Sequence, residues 1–108
     1  MALLGLGRAS EPALLVLVSL LEGPKHGYAI SKDVERLTGR RPGPGTLYGA
    51  ISRLEGAGLI EPSEGEGDDA RRKPYALTPA GLGEARRELE KMADLVGEGR
   101  RRLEASPA

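Results

Sequence analysis

Two prolines and two glycines stand directly in front of a run with helical spacing in RPGPGTLYGAISRLEGAGLI, residues 41–60. A helix that opens behind such a turn presents its first unpaired N–H groups and the positive end of its dipole to whatever lies ahead. That arrangement suits an anion and leaves two readings: a loop cradling a nucleotide's phosphates, or the lead-in to a helix that meets something larger. Spacing argues against the nucleotide. Gly43, Gly45 and Gly49 give G-x-G-x-x-x-G after a basic turn, whereas a dinucleotide fingerprint needs G-x-G-x-x-G after a strand, and no Gly-Lys-Ser/Thr follows to make a P-loop.

The rest of the chain shows what that helix belongs to. Ser10, Glu11 and Pro12 predict a helix start, with Ser10 as the cap and the proline in the first turn. The run ALLVLVSLL at 13–21 is apolar nearly all round, which marks a helix central to the core. It is too short to cross a bilayer and is closed by Glu22, Gly23 and Pro24. A second helix is predicted over 27–38, where Ile30, Val34 and Leu37 recur at i, i+4, i+7 and Gly39 is placed to end it. The third runs from Gly45 to Ala57, with Leu47, Ala50, Ile51 and Leu54 on one stripe. LIEP at 59–62 and PYALT at 74–78 read as two short strands around a polar tip, SEGEGDDARRK.

Thr78 and Pro79 then open a last helix as cap and first helical residue. Leu82, Ala85, Leu89, Met92 and Val96 are spaced 3, 4, 3, 4, and the same seam reaches Leu103 through Gly99. At 1.5 Å per residue, residues 79–104 would run roughly 39 Å, more than so small a domain needs, so this seam is expected to find a second copy of the chain. The final residues, ASPA, are expected to fray.

Composition excludes several classes. Among 108 residues there is no cysteine, hence no disulfide framework and no thiolate metal site, and a single histidine, His26, which leaves a metal centre without support. His26 is expected to cap or pack at the start of the second helix. Ser31 and Asp33 near His26 do not make a triad, because neighbours on one helix cannot build an oriented nucleophile with an oxyanion hole. No catalytic residue, metal or cofactor is expected, and a reduced, cytoplasmic setting is. Formal net charge is zero, yet the charge is unevenly placed: residues 1–60 carry seven Lys/Arg against five Asp/Glu. The cations gather at Arg40, Arg41 and Arg53, and again at Arg71, Arg72 and Lys73 in the polar tip.

Three helices followed by a two-stranded hairpin, with the second and third joined by a Gly/Pro turn, describe a winged helix-turn-helix, a mainly α fold. The third helix of such a fold lies in the major groove of DNA and the hairpin tip touches the backbone. With Leu47 inward, Gly45, Gly49, Ser52 and Gly56 face outward beside Thr46, Tyr48 and Arg53, so the helix axis can come close to the duplex. The expected DNA-contacting residues are Thr46, Tyr48, Gly49, Ser52 and Arg53, with Arg41, Tyr28 and the wing residues Arg71, Arg72 and Lys73. The expected dimer residues are Leu82, Ala85, Leu89, Met92, Val96 and Leu103. Residues 1–78 form the DNA-binding domain in this reading, and 79–108 the dimerisation helix and tail. A different reading is a winged helix that scaffolds other proteins without touching DNA; the Arg/Lys placement on the third helix and wing favours DNA.

HGYAI, GPGTLYGAISRLEGAGLIEP and RRKPYALTPAG, in this order and at these spacings, resemble the PadR-type transcriptional regulators over about residues 11–82. The resemblance implies a bacterial, dimeric winged-helix repressor, with double-stranded DNA as partner and the C-terminal helix holding two copies together. The single C-terminal helix resembles the branch with a compact dimerisation region. Two positions depart from the pattern: Ala29 stands where the family often has an acidic residue, and Gly49 where it often has proline. Whether a small-molecule effector releases the operator is left open, since three tyrosines with no Trp or Phe offer little surface to stack a planar molecule.

Overall fold

The computed structural model describes the backbone of residues 7–64 and 74–106, and the side chains of those from residue 11 onward. Its elements run α1 (Gly7–Leu20), α2 (Gly27–Thr38), α3 (Pro44–Gly56), β1 (Ile60–Pro62), β2 (Tyr75–Leu77) and α4 (Pro79–Ala105). α1 is the hub: α2, α3, α4 and β2 all pack on it. Val16, Leu17 and Leu20 of α1 meet Ile30 and Val34 of α2, Leu47, Ala50, Ile51 and Leu54 of α3, Ile60 of β1 and Ala85 of α4 in one apolar cluster. The all-round apolar character of 13–21 therefore reflects a helix covered on most sides.

Two expectations about helix starts need correction. α1 begins at Gly7, so Ser10 is inside the helix and Pro12 is interior to it, unable to donate to the carbonyl four residues back. His26 does stand at the N-cap of α2, but its exposed ring makes no capping hydrogen bond; its contribution is the backbone carbonyl that accepts from Ile30 N–H at 3.0 Å. The Thr78 cap is as expected. Its Oγ1 accepts from Gly81 N–H at 3.0 Å and also lies 2.6 Å from the Gly58 carbonyl oxygen, to which it donates.

β1 and β2 pair antiparallel, Ile60 opposite Leu77 and Pro62 opposite Tyr75. The turn between α1 and α2 adds an isolated bridge to β2: Lys25 N–H donates to the Tyr75 carbonyl at 3.0 Å and Tyr75 N–H to that of Lys25 at 2.8 Å. Lys25 also reaches inward. Its Nζ lies 2.9 Å from Asp33 Oδ2, 2.6 Å from Glu22 Oε1 and 2.7 Å from the Ser19 carbonyl oxygen, while Arg36 closes on Asp33 Oδ1 at 2.5 Å. Burial alone would lower the Lys25 pKa, but the hydrogen bonds to Glu22 and Asp33 outweigh it and raise the value. The Lys25 ammonium, then the Ser19 hydroxyl and Arg36, hold the nearly buried Asp33 carboxyl down at about 2 from 3.8.

Two glycines mark close approaches. At Gly27, a Cβ would stand 2.7 Å from the Tyr48 hydroxyl oxygen and 2.9 Å from its ring, so the hydroxyl end of Tyr48 of α3 lies against the start of α2. At Gly81, a Cβ would collide with the Leu59 carbonyl, so the first turn of α4 sits on the chain leading into β1. α4 then runs on past the core and sets the longest of the molecule's dimensions, 62 × 27 × 20 Å.

These contacts give two expected outcomes. Because the Asp33 pKa is depressed on folding, its contribution is complete above about pH 4 and is lost as the pH falls toward 2; the two values, 3.8 and about 2, set it at about 2 kcal/mol. Chemical denaturation of Asp33→Asn across that window should show a flatter acid limb than the parent, and an unchanged slope would mean that the carboxylate is not held by Lys25. Gly27→Ala should destabilise by about 1 kcal/mol, with much of the loss removed when Tyr48→Ala is added. Additive losses in that double-mutant cycle would deny the contact.

Candidate nucleic-acid interface

α2 and α3 are joined by a turn built from its end residues. Gly39 adopts φ 79°, the left-handed conformation that ends a helix, and its N–H donates to Glu35 O at 2.7 Å. Gly43 then caps α3, whose first residue is Pro44, and the Gly43 carbonyl accepts from Leu47 N–H at 2.9 Å. The turn therefore presets the start of α3. Leu47, Ala50, Ile51 and Leu54 are buried, which fixes the helix's rotation about its axis and turns the opposite face to solvent.

That face carries Gly45, Thr46, Tyr48, Ser52, Arg53 and Gly56, all exposed, with half-buried Gly49 among them. A Cβ at Gly49 would lie 3.6 Å from an Arg53 guanidinium nitrogen, so the arginine extends along the surface that the glycine leaves low. Tyr48 has two roles in the geometry. One side of its ring covers Gly27, yet the residue stays 50 % exposed, so packing against α2 aims it and leaves it reachable. Tyr28, at the start of α2, is 65 % exposed. Arg41 is half-exposed and sits 3.5 Å from Glu35 Oε1, a solvent-screened pair that a phosphate would have to displace. Arg71, Arg72 and Lys73 lie outside the described residues.

One exposed basic residue of α2 was missing from the sequence reading. Lys32, one turn after Tyr28, holds its Nζ 5.5 Å from the Tyr28 ring centroid, so the two form a cation–π pair on the exposed side of α2. The i, i+4 spacing of Tyr28 and Lys32 was visible, but which face of α2 would be free was not.

The seam of α4 divides in two. Leu82, Leu89, Val96 and Leu103 are exposed, from 37 % at Leu89 to 76 % at Leu103, and Met92 is half-buried. Ala85 is fully buried in the chain's own core, against the expectation that it meets a second copy: the first turns of α4 lie on α1 and β2, and Ala85 is the residue they press inward. Leu95 and Leu21, neither of them in the predicted seam, are exposed apolar residues beside it. Leu21, Leu82, Leu89 and Ala93 line one shallow groove where α4 passes the end of α1. Among the described residues no cluster of His, Cys, Asp and Glu could hold a metal, and no helix is long and apolar enough to cross a membrane.

Comparison with known proteins agrees with this architecture. A PadR-family regulator from Clostridium difficile superposes with a TM-score of 0.71 at 26 % identity, over 85 % of this chain and 97 % of that one. RosR from H. salinarum superposes with a TM-score of 0.70 at 29 % identity, over 93 % of this chain and 91 % of that one. In sequence, a transcriptional regulator of Mycobacterium tuberculosis is 37 % identical over 83 residues, 74 % of this chain and 77 % of that one. An uncharacterised 37.1 kDa transposon protein of Streptomyces fradiae is 47 % identical over 90 residues, 83 % of this chain; the match spans only 25 % of that longer protein. The model of the transcriptional regulator PadR-like family matches residues 16–90, from the middle of α1 into α4, and the chain belongs to that family.

Proposed function

We propose that this chain is a sequence-specific DNA-binding regulator, a repressor acting as a homodimer on an inverted-repeat operator. The observation that carries the reading is the outward face of α3. It is a continuous polar surface, thinned by Gly45, Gly49 and Gly56, with Thr46, Tyr48, Ser52 and Arg53 raised on it. Small residues let a helix axis approach base edges, and hydroxyl and guanidinium groups near a recognition helix's start are what meet bases and phosphates. Exposed Tyr28, Lys32 and Arg41, on α2 and on the turn leading into α3, are proposed to make phosphate contacts beside that face. The wing cations Arg71, Arg72 and Lys73 are proposed to reach the backbone beyond it. A cytoplasmic location goes with this reading, since the operator is there.

For the second copy, the support is α4. An exposed row of Leu82, Leu89, Val96 and Leu103 along a projecting helix is a surface that a two-fold partner covers with the same surface. The division of labour at residue 78 is one of role: residues 1–78 recognise and 79–108 pair, although Gly81 and Ala85 also complete the core of the first part.

Duplex binding should weaken steeply as salt rises, because Lys/Arg contacts release counterions from the phosphates. Arg53→Ala and the combined Arg71→Ala/Arg72→Ala/Lys73→Ala variant should each lower affinity, the latter with a shallower salt slope. A wing variant with the parent's slope removes the wing from the interface, and salt-independent retention of every partner would favour protein scaffolding instead.

Leu89→Glu places a charge in the middle of the seam, and sedimentation should find dimer for the parent and monomer for the variant. The same variant should lose tight operator binding, since a lone module forfeits the effective concentration supplied by its partner. With two recognition helices about one turn apart, roughly 34 Å, inserting half a turn between the operator arms should abolish tight binding. Binding that survives both changes would mean that each chain reads DNA alone.

A further inference from the structure

Tyr48 is the aromatic residue of the outward face of α3, and its surroundings limit what it can offer there. Built on the Gly27 backbone, a Cβ would lie 2.7 Å from the Tyr48 hydroxyl oxygen, 2.9 Å from Cε1 and 3.1 Å from Cζ. One edge of the ring, ending in the hydroxyl, is therefore seated on the first turn of α2. A second observation agrees on that direction. The Tyr75 phenol of β2 is pushed up by burial first, then by the charges of Glu55 and Tyr48, so the Tyr48 oxygen lies within electrostatic reach of the hairpin's base. Half of Tyr48 nevertheless stays exposed. What it turns to solvent is mostly aromatic carbon, the other edge and the faces of its ring.

The residues three before and one after Tyr48 are Gly45 and Gly49, which have no side chain to share its surface, so nothing on α3 stands between the ring and a base pair beneath it. Base edges in the major groove present hydrogen-bond donors and acceptors and one apolar group, the 5-methyl of thymine. A ring whose hydroxyl is occupied elsewhere is complementary to that methyl and to none of the donors and acceptors beside it. We propose that Tyr48 selects a thymine in each half-site through its 5-methyl group, and that Gly27 is the positioning residue that holds the ring for this contact. The proposal rests on α3 being the recognition helix. In this arrangement the hydroxyl anchors the side chain to α2 and the ring carbon reads the base, while Thr46, Ser52 and Arg53 keep the polar contacts. Any side chain at position 27 would put a carbon where the phenol end of Tyr48 now sits.

For the test, the full chain selects duplexes from a random-sequence pool, and the tightest-binding duplex becomes the probe. Replacing its thymines with deoxyuridine, one position at a time, removes the 5-methyl and leaves every hydrogen-bonding group of the base in place. At one position in each arm the parent should bind the uracil duplex about 4-fold more weakly, and about 15-fold more weakly when both arms are changed, the factors for one and two buried methyl groups. In Tyr48→Ala that ratio should vanish. In Tyr48→Phe, which keeps the ring and drops the hydroxyl, it should persist. The ratio compares two duplexes on one protein, so a smaller folded fraction cancels from it. Gly27→Ala should lower the ratio too, because its methyl displaces the ring, and it decides the matter if Tyr48→Ala binds too weakly to measure. Uracil sensitivity that survives in Tyr48→Ala assigns the methyl contact to another residue and overturns the proposal, as does a ratio lost in Tyr48→Phe. An undiminished ratio in Gly27→Ala overturns the positioning role of Gly27 and, where Tyr48→Ala cannot be measured, the Tyr48 contact with it. A selected duplex indifferent to uracil at every position overturns this proposal alone, whereas a pool from which no duplex is retained overturns the DNA reading and the proposal together.

Discussion

Lys25 makes the contact on which the geometry of the whole unit depends. Its backbone pairs with Tyr75 in both directions, which ties the hairpin to the turn between α1 and α2. Its side chain binds the end of α1 through Ser19 and Glu22, and the middle of α2 through Asp33. A nearly buried carboxylate is costly unless it is paired and hydrogen-bonded, and Asp33 receives Lys25 on one oxygen and Arg36 on the other. The Lys25 backbone thus holds one end of β2 to the turn between α1 and α2. A two-stranded ribbon is marginal on its own, and here its bearing on α3 comes from this turn and from Ile60 and Leu77 against the core.

Zero net charge is compatible with a surface that faces a polyanion because the acids have employment elsewhere. Asp33 and Glu22 are engaged by Lys25, Glu35 by Arg41, and Glu84, Glu88 and Glu98 by cations three or four residues along α4. Pairs along α4 are solvent-exposed and contribute little individually, yet they keep the helix's own charges balanced. At the proposed interface Arg41 is the exception that matters. Its pairing with Glu35 means that a phosphate there would exchange one partner for another, so its net contribution to affinity would be smaller than that of a cation without a prior partner.

What could be read from the chain beforehand was whatever follows from local spacing. The inward stripe Leu47, Ala50, Ile51, Leu54 and the Thr78-Pro79 start depend on neighbours within one or two turns, and both stand as expected. Gly39 as helix stop is of the same kind. The misses are of another kind. Ala85 fits a heptad seam by spacing, but whether a seam position faces the chain's own core or a second chain depends on where α1 and β2 lie. Gly27 looked like part of a helix start, and its need to be glycine arises from Tyr48, 21 residues away. Lys25 carries no local sign that it bridges to Tyr75. Ser10 looked like a cap because serine, glutamate and proline suit a helix start, and the extra turn before it is not encoded in that triplet. Of the candidate site, the composition of the α3 face was legible, while the aim of Tyr48 and the freedom of Lys32 were not, for they depend on how α2 and α3 cross.

The meeting of Gly81 with Leu59 has a mechanical meaning. Thr78 N–H donates to the Leu59 carbonyl at 3.1 Å, the Thr78 hydroxyl donates to that of Gly58, and Gly81 rests on the same short segment. α4 thus leaves the hairpin's base already clamped, with no slack between the strand that ends at Leu77 and the helix that begins at Pro79. A helix held this way behaves as a lever arm: a tilt imposed along its projecting end is delivered as a torque at the root of the wing and, through Lys25, to the helices beside it. Changing the reach or attitude of this molecule therefore requires rebuilding that joint or the rod itself, because there is no tether to lengthen.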